Sequence, residues 1–319
     1  METKLVVTID VEEEQKWGTF KAKGNTTRHL ENIDRLQLLF EKYKVKPTYL
    51  LNWEALQNKK AVAKFKNYLK NEKCEIGAHM HPWATPPHHE KICEKNTFAN
   101  NLPAKLVEQK LKNITNKIKK EFKVQPKTFK AGRYGFNENQ AKILKKLGYR
   151  VDTSVTPYIS HEQFQGPSFV DFPNLPYLLD LNNIKKENKK SNLLEIPATV
   201  GFNLENFELA NKIYNSKNLI SKILMHFKIV KRLKLTTEGF SAKEMEQISN
   251  IYLKRKSPVL HIEFHSENIM HGFVEYVATT EELEKFYSKL EEVFDYLINE
   301  KKVEPMTCTE FYNWFSRAQ

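Results

Sequence analysis

Lys4-Leu5-Val6-Val7-Thr8-Ile9-Asp10-Val11-Glu12 is an apolar run that ends in two carboxylates. Residues i and i+2 of a strand share a face, so Asp10 and Glu12 leave the same side of the strand end. Three distant segments have the same character. Glu75-Ile76-Gly77-Ala78-His79-Met80-His81 places His79 and His81 on one face, and His261-Ile262-Glu263-Phe264-His265-Ser266 does so for His261, Glu263 and His265. Lys130-Ala131-Gly132-Arg133-Tyr134-Gly135 adds two cations at another strand end. Carboxylates and imidazoles converging from several strand ends suit a metal-assisted hydrolase.

Between these segments strands and helices alternate. Strands are expected at Lys4 to Asp10, Pro47 to Leu51, Cys74 to Met80, Thr128 to Ala131 and Tyr149 to Ser154. Helices are expected over Thr27 to Tyr43, Glu54 to Leu69, a span carrying Leu106, Leu111, Ile114 and Ile118, and a span capped by Asn137 and stopped at Gly148. This rhythm argues for a parallel sheet covered by helices. From Gly166 to Pro197 four prolines break it, which predicts an irregular or hairpin excursion near 160–200. A helical segment near 204–252 follows, including a basic helix from Lys217 to Lys234 and another from Ser241 to Ile251. Then come the strand Val259 to Phe264, a helix from Thr280 to Asn299, a strand near Val303 to Met306 and a helix from Thr309. With no repeat and no flexible linker, one catalytic domain over 1–319 is expected.

A chain of 319 residues with 40% hydrophobic and 12% aromatic residues can bury a large core. The net charge of +12 permits anionic partners, yet dispersed lysines mainly solvate helix faces. No recognition motif accompanies the charge, so nucleic-acid binding is not expected. The N-terminal residues lack the length and cleavage pattern of a signal peptide, and no apolar stretch approaches the roughly 20 residues of a membrane span. Cys74, Cys93 and Cys308 show no metal-type spacing. A cytoplasmic protein is the expectation.

Lys130 and Arg133 are candidates to orient a carboxylate and keep it ionised, and Asp152 is a candidate partner for either. His265, at a strand end, is placed to act as a general acid or base. His261, earlier on that strand, reads as a core histidine, with Glu263 orienting either ring. Glu13 and Glu14 continue the acidic run and read as a solvated turn, and His88 and His89 as loop histidines that are spare ligands.

In order, these segments resemble the polysaccharide deacetylase family, the NodB-homology or carbohydrate esterase 4 group, from Thr8 to about His265. The carriers are Asp10-Val11-Glu12, His79-Met80-His81, Lys130 with Arg133, Tyr149-Arg150-Val151-Asp152 and Phe264-His265-Ser266. The chain departs from the common family form in three places. Val11 separates the acids, the position four after His79 is Trp83, and Lys130 stands at the usual arginine.

The resemblance implies a distorted (β/α)7 barrel and one divalent metal, zinc being expected, held by Glu12, His79 and His81. His81 fills the second imidazole place unless a loop histidine such as His88 reaches back. It further implies Asp10 as general base supported by Lys130 or Arg133, Asp152 nearby, His265 as proton donor to the leaving amine, and an N-acetylated saccharide as substrate. Trp17, Trp83 and Tyr134 are candidate sugar-stacking walls. Other readings stay open: an amidohydrolase for a non-sugar amide, a two-metal phosphoesterase, and a saccharide-binding protein without activity. The basic helix from Lys217, carrying Leu219, Ile220, Ile223, Leu224, Phe227 and Val230, suits either packing by its apolar face or peripheral contact with an anionic membrane.

Overall fold

The computed structural model describes residues 2–14, 18–216 and 218–317. Its first half alternates β1 (Lys4–Val11), α1 (Ile33–Lys42), β2 (Thr48–Leu51), α2 (Lys59–Lys70), β3 (Glu75–Met80), α3 (Ala104–Phe122), β4 (Thr128–Ala131), α4 (Glu138–Leu147) and β5 (Val151–Asp152). A hairpin of β6 (Tyr177–Asp180) and β7 (Asn183–Glu187) precedes β8 (Leu194–Glu195). Next come β9 (Val200–Phe202), α5 (Phe207–Asn215), α6 (Leu219–His226), β10 (Arg232–Lys234) and α7 (Ala242–Lys254). The chain then forms β11 (Val259–His265), α8 (Thr280–Phe294), β12 (Glu304–Met306) and α9 (Cys308–Arg317).

Seven strands pair in parallel in the order β11-β1-β2-β3-β4-β5-β8, with β12 beside the first half of β1. The curled sheet is completed between β8 and β11 by isolated bonds. Leu235 N–H donates to Thr199 O at 2.9 Å, and His261 N–H to Thr199 Oγ1 at 2.8 Å. This is the distorted (β/α)7 barrel that the resemblance implies.

The two faces of β1 explain the layering. Leu5, Val7, Ile9 and Val11 belong to the outer core with Ile33, Leu36 and Phe40 of α1. On the inner face Val6 packs with Val151, Leu194 and Val259, and with Cys308 and Phe311 of α9, which plugs the barrel's N-terminal end. Thr8 and Asp10 follow on that face, so the interior passes from an apolar floor to a polar mouth at the strands' C-terminal ends. Local signals set the flanking helices. Asn137 and Gln140 form a reciprocal capping box at the start of α4, and Gly148 ends it at φ +87°.

Three expectations are corrected. Strand five shrinks to Val151–Asp152, because the Asp152 carboxylate accepts from Ser154 N–H and Oγ–H and turns the chain. The basic stretch, whose first residue Lys217 lies outside the described residues, is helical only through His226. Asn203 and Lys231 then exchange hydrogen bonds and start the antiparallel β9–β10 pair. The helix starting at Thr280 is α-helical only to Phe294, continuing as a π-helical turn over Asp295–Glu300. The break over 166–197 contains the β6–β7 hairpin, as its prolines predict. No helix among the described residues is long and apolar enough to cross a membrane.

One buried cation shapes the loop that leaves β3. The Lys110 ammonium, fully buried on α3, donates to the carbonyls of Pro82, Thr85 and Pro87 at 2.6–2.8 Å and pairs with Glu90 at 2.8 Å. Lys110→Met leaves those acceptors without their donor in a dry site, and urea unfolding should show a loss of roughly 3–5 kcal/mol.

Candidate active site

His79 ends its alternation on the inner face of β3, and His81 lies one residue past the strand on the same side. The rings sit 4.7 Å apart, centroid to centroid. Nδ1–H of His79 donates to Lys130 O at 3.1 Å, which leaves the Nε2 lone pair facing inward. Nδ1–H of His81 donates to the Glu13 carboxylate at 3.0–3.1 Å, which frees its Nε2 likewise. Glu12 completes the group, with Oε2 3.0 Å from His79 Nε2 and 3.1 Å from His81 Nε2. The two Nε2 atoms lie 3.0 Å apart.

Three acceptor atoms aimed at one point repel one another unless a cation lies among them. One carboxylate and two imidazoles with their outer nitrogens anchored are a donor set that zinc favours. The residues therefore fit the implied metal. His88 and His89 stay exposed on their loop, so His81 is the second imidazole of the group.

Burial pulls the His81 imidazole down, but Glu13 and Glu12 overrule it and push it up to about 10. Burial pushes the Glu12 carboxyl up, and the His81 and His265 rings hold it well below its ordinary range. The carboxylates favour positive charge at the point where the three donors meet: a proton on His81 Nε2 when no metal is bound, which a bound cation would displace.

Asp10 lies 2.8 Å from the Lys130 ammonium through Oδ2, while its buried Oδ1 has no hydrogen-bond partner. Lys130 also bonds Glu263 Oε2 at 2.9 Å, and Glu263 Oε1 meets Lys234 at 2.5 Å and accepts from the Tyr134 hydroxyl at 3.0 Å. Burial pulls the Lys130 ammonium down, but Asp10 and Glu263 hold it well above its usual range, so it stays charged. On the other flank His265 presents Nε2 3.7 Å from Asp10 Oδ2 and bonds Glu238 through Nδ1 at 2.8 Å. Its side chain is 36% exposed, so the site opens to solvent there.

The remaining candidates fall elsewhere. Arg133 pairs with Glu94 at 2.6 Å and lies over the Phe98 ring, so Lys130 is the cation paired with Asp10. The register sets Asp152 opposite Phe129, the outward neighbour of Lys130, and its partners are Ser154 and the buried acid Glu195. Trp83 is buried, stacked on His81 at 4.2 Å with its N–H on Glu13 at 2.9 Å, so it packs the site and is no open sugar wall. Tyr134 is half-buried against His161, and Trp17 lies outside the described residues. His261 is a core histidine bonded to Thr8, as expected, while Glu263 serves Lys130 rather than a ring.

Sequence reasoning missed Glu13, Glu238, Lys234 and Ser266. Glu13 reads as part of a solvated turn, yet it is buried under Trp83 and also accepts from Asn52. Its signal was the run of three acids directly after an apolar strand. Ser266 accepts the Glu12 N–H at 3.3 Å and meets His29 Nε2 at 2.8 Å, with His29 Nδ1 3.3 Å from Glu14. That chain fixes the backbone that carries Glu12. Gly132 is required sterically, since a Cβ there would fall 2.4 Å from His81 Cδ2.

No protein-family model and no curated protein matches the chain. Solved structures do match. A Parabacteroides distasonis protein described as a glycoside hydrolase/deacetylase superposes with a TM-score of 0.62 at 11% identity, over 98% of this chain and 70% of that one. A Mycobacterium smegmatis protein described as a polysaccharide deacetylase gives 0.58 at 12% identity, over 99% and 91%. Another so described, from Pseudomonas aeruginosa PAO1, gives 0.56 at 12% identity, over 99% and 91%. At such identities the shared property is the fold, and this chain has the fold of the polysaccharide deacetylases.

Glu13 orients His81 without being a ligand, and Gln in its place keeps an acceptor for Trp83. Glu13→Gln should weaken zinc binding by about 10–100-fold, measured by competition with a chromogenic chelator, with far-ultraviolet circular dichroism unchanged.

Proposed function

We propose that this chain is a metal-dependent hydrolase that removes an N-acetyl group from an amino sugar in a saccharide or glycan precursor. The observation that carries the reading is one point faced by the donors of Glu12, His79 and His81, with Asp10 and His265 on either side. A zinc ion held by those three residues would supply the Lewis acid that polarises the amide carbonyl and acidifies water.

The chain's own groups divide the proton work. Asp10, fixed by Lys130 through Oδ2, has Oδ1 free to take the proton of the attacking water. Burial pulls the His265 imidazole down, but Glu238, Glu12 and Asp10 hold it well above its ordinary range, so it is protonated near neutrality. With Nδ1 committed to Glu238, the proton it can give lies on Nε2, on the site side. His265 passes that proton to the amine nitrogen as the C–N bond breaks. Arg133 and Asp152 have no step in this scheme.

A two-metal scheme is disfavoured on charge. The second possible ligand group, Asp10 with Glu12 and His265, shares Glu12 with the first. It also has the Lys130 ammonium 2.8 Å from Asp10, where a second cation would be repelled.

The test is acetate release from N-acetylated oligosaccharides by zinc-loaded protein, and no release across a broad panel would sink the reading. Asp10→Asn should lower kcat by roughly 100–10,000-fold while zinc content stays at the wild-type level. The active His265 is the protonated form and its pKa is raised, so the alkaline limb of the rate profile should lie above the usual imidazole range. Glu238→Gln removes the largest raising charge, and the limb should then move to lower pH.

A further inference from the structure

We infer that the α5–α6 excursion is a docking surface for an anionic lipid membrane. α6 packs inside out. Ser221 is its buried residue, and Leu224 and Met225 are half-buried beside it. The opposite side carries Leu219, Ile220, Ile223 and Phe227, which share one helix face at i, i+1, i+4 and i+8. Those four are 72%, 69%, 45% and 69% exposed, and Ile229 just after the helix and Leu209 on α5 are 53% and 51% exposed. A helix of a water-soluble surface buries that face, and isolated exposed apolar residues need no partner, whereas a contiguous set of this size marks a contact site.

Charge selects the occupant. From the start of α5 at Phe207 to Lys231 the sequence holds Lys212, Lys217, Lys222, Lys228 and Lys231 against one acid, the exposed Glu208. Lys212, Lys222 and Lys228 are exposed around the apolar side chains, and Lys231 is paired with Glu244. Apolar residues in the centre with cations around them suit the boundary between acyl chains and anionic headgroups. A second copy of this chain would bring a like-charged face against its own, which opposes self-docking.

The excursion leaves the C-terminal end of β8, the end of the barrel where Glu12, His81 and His265 lie, and α7 alone carries the chain back towards the start of β11. Its exit strand β10 delivers Lys234 to Glu263, and Arg232 bonds Tyr158 O at 2.8 Å. At its start Glu205 pairs with Lys254 at 2.7 Å and Phe207 lies under Arg255, both at the end of α7. A membrane-docked enzyme would suit a substrate carried on a lipid, a point that rests on the proposed function, whereas docking itself does not.

The experiment is flotation of the full-length protein with vesicles of phosphatidylglycerol and phosphatidylcholine in equal parts, beside vesicles of phosphatidylcholine alone. The expected result is recovery with the anionic vesicles, little with the neutral ones, and release by high salt. A Leu219→Ser, Ile220→Ser, Phe227→Ser variant should lose flotation with its thermal midpoint within a few degrees of wild type, and Lys222→Glu with Lys228→Glu should weaken flotation without changing the fold. Absence of flotation by wild type, or flotation that survives both variants, would overturn the inference. So would a concentration-dependent dimer in sedimentation that the serine variant abolishes, which would assign the face to a second copy. Because flotation is read without turnover, failure of the catalytic reading leaves this result intact.

Discussion

The Lys130 ammonium is the constraint around which the interior of the barrel is organised. Asp10, Glu12 and Glu263 are buried carboxylates brought together by strand ends that also carry the His79 and His81 imidazoles. Without a fixed cation they would repel one another, and one or more would protonate. Lys130 lies between Asp10 and Glu263, at 2.8 and 2.9 Å, and Lys234 extends the alternation of charge on the far side of Glu263. Asp10, Lys130 and Glu263 are buried and Lys234 half-buried, so the value of each contact lies as much in avoiding an unpaired charge as in attraction.

Lysine rather than arginine at this place has a geometric consequence. A guanidinium binds one carboxylate with two parallel bonds, whereas an ammonium is a point donor that can serve two acids from different directions. Lys130 takes one oxygen of Asp10 and leaves the other without a bond, which is the condition a proton acceptor needs. The Lys130 carbonyl meanwhile orients His79. One residue thus bonds the Asp10 carboxylate through its side chain and sets the tautomer of His79 through its backbone.

Much of this was legible in the sequence because it depends on short periodicities. The i, i+2 spacing of Asp10 with Glu12, and of His79 with His81, survives folding because β1 and β3 are flanked by ladders that hold their register. Asn137 and Gly148 bounded α4 as their chemistry demands. What was not legible depends on chain turns and distant partners. Glu13 follows the end of β1, where alternation no longer says which way a side chain points, and its burial comes from Trp83 and Asn52, at remote positions. Glu238 and Lys234 lie on the β9–β10 excursion, whose turn at Lys228 leaves no apolar period to follow. Arg133 and Asp152 were misplaced for the same reason. Arg133 and Tyr134 adopt left-handed φ values of +54° and +59°, which swings their side chains off the strand's alternation, and Asp152 ends a strand two residues long.

The position of the His79 and His81 imidazoles has a thermodynamic side. β3 is an inner strand with β2 and β4 hydrogen-bonded along its edges, and Glu12 directly follows β1, itself an inner strand. Displacing Glu12, His79 or His81 means parting inner strands of the sheet, so any cation held there would be linked to the global opening of the barrel. The β9–β10 excursion is a two-stranded edge outside that unit. The molecule is thereby divided into a centre held along both of its edges and a periphery that can rearrange without parting it.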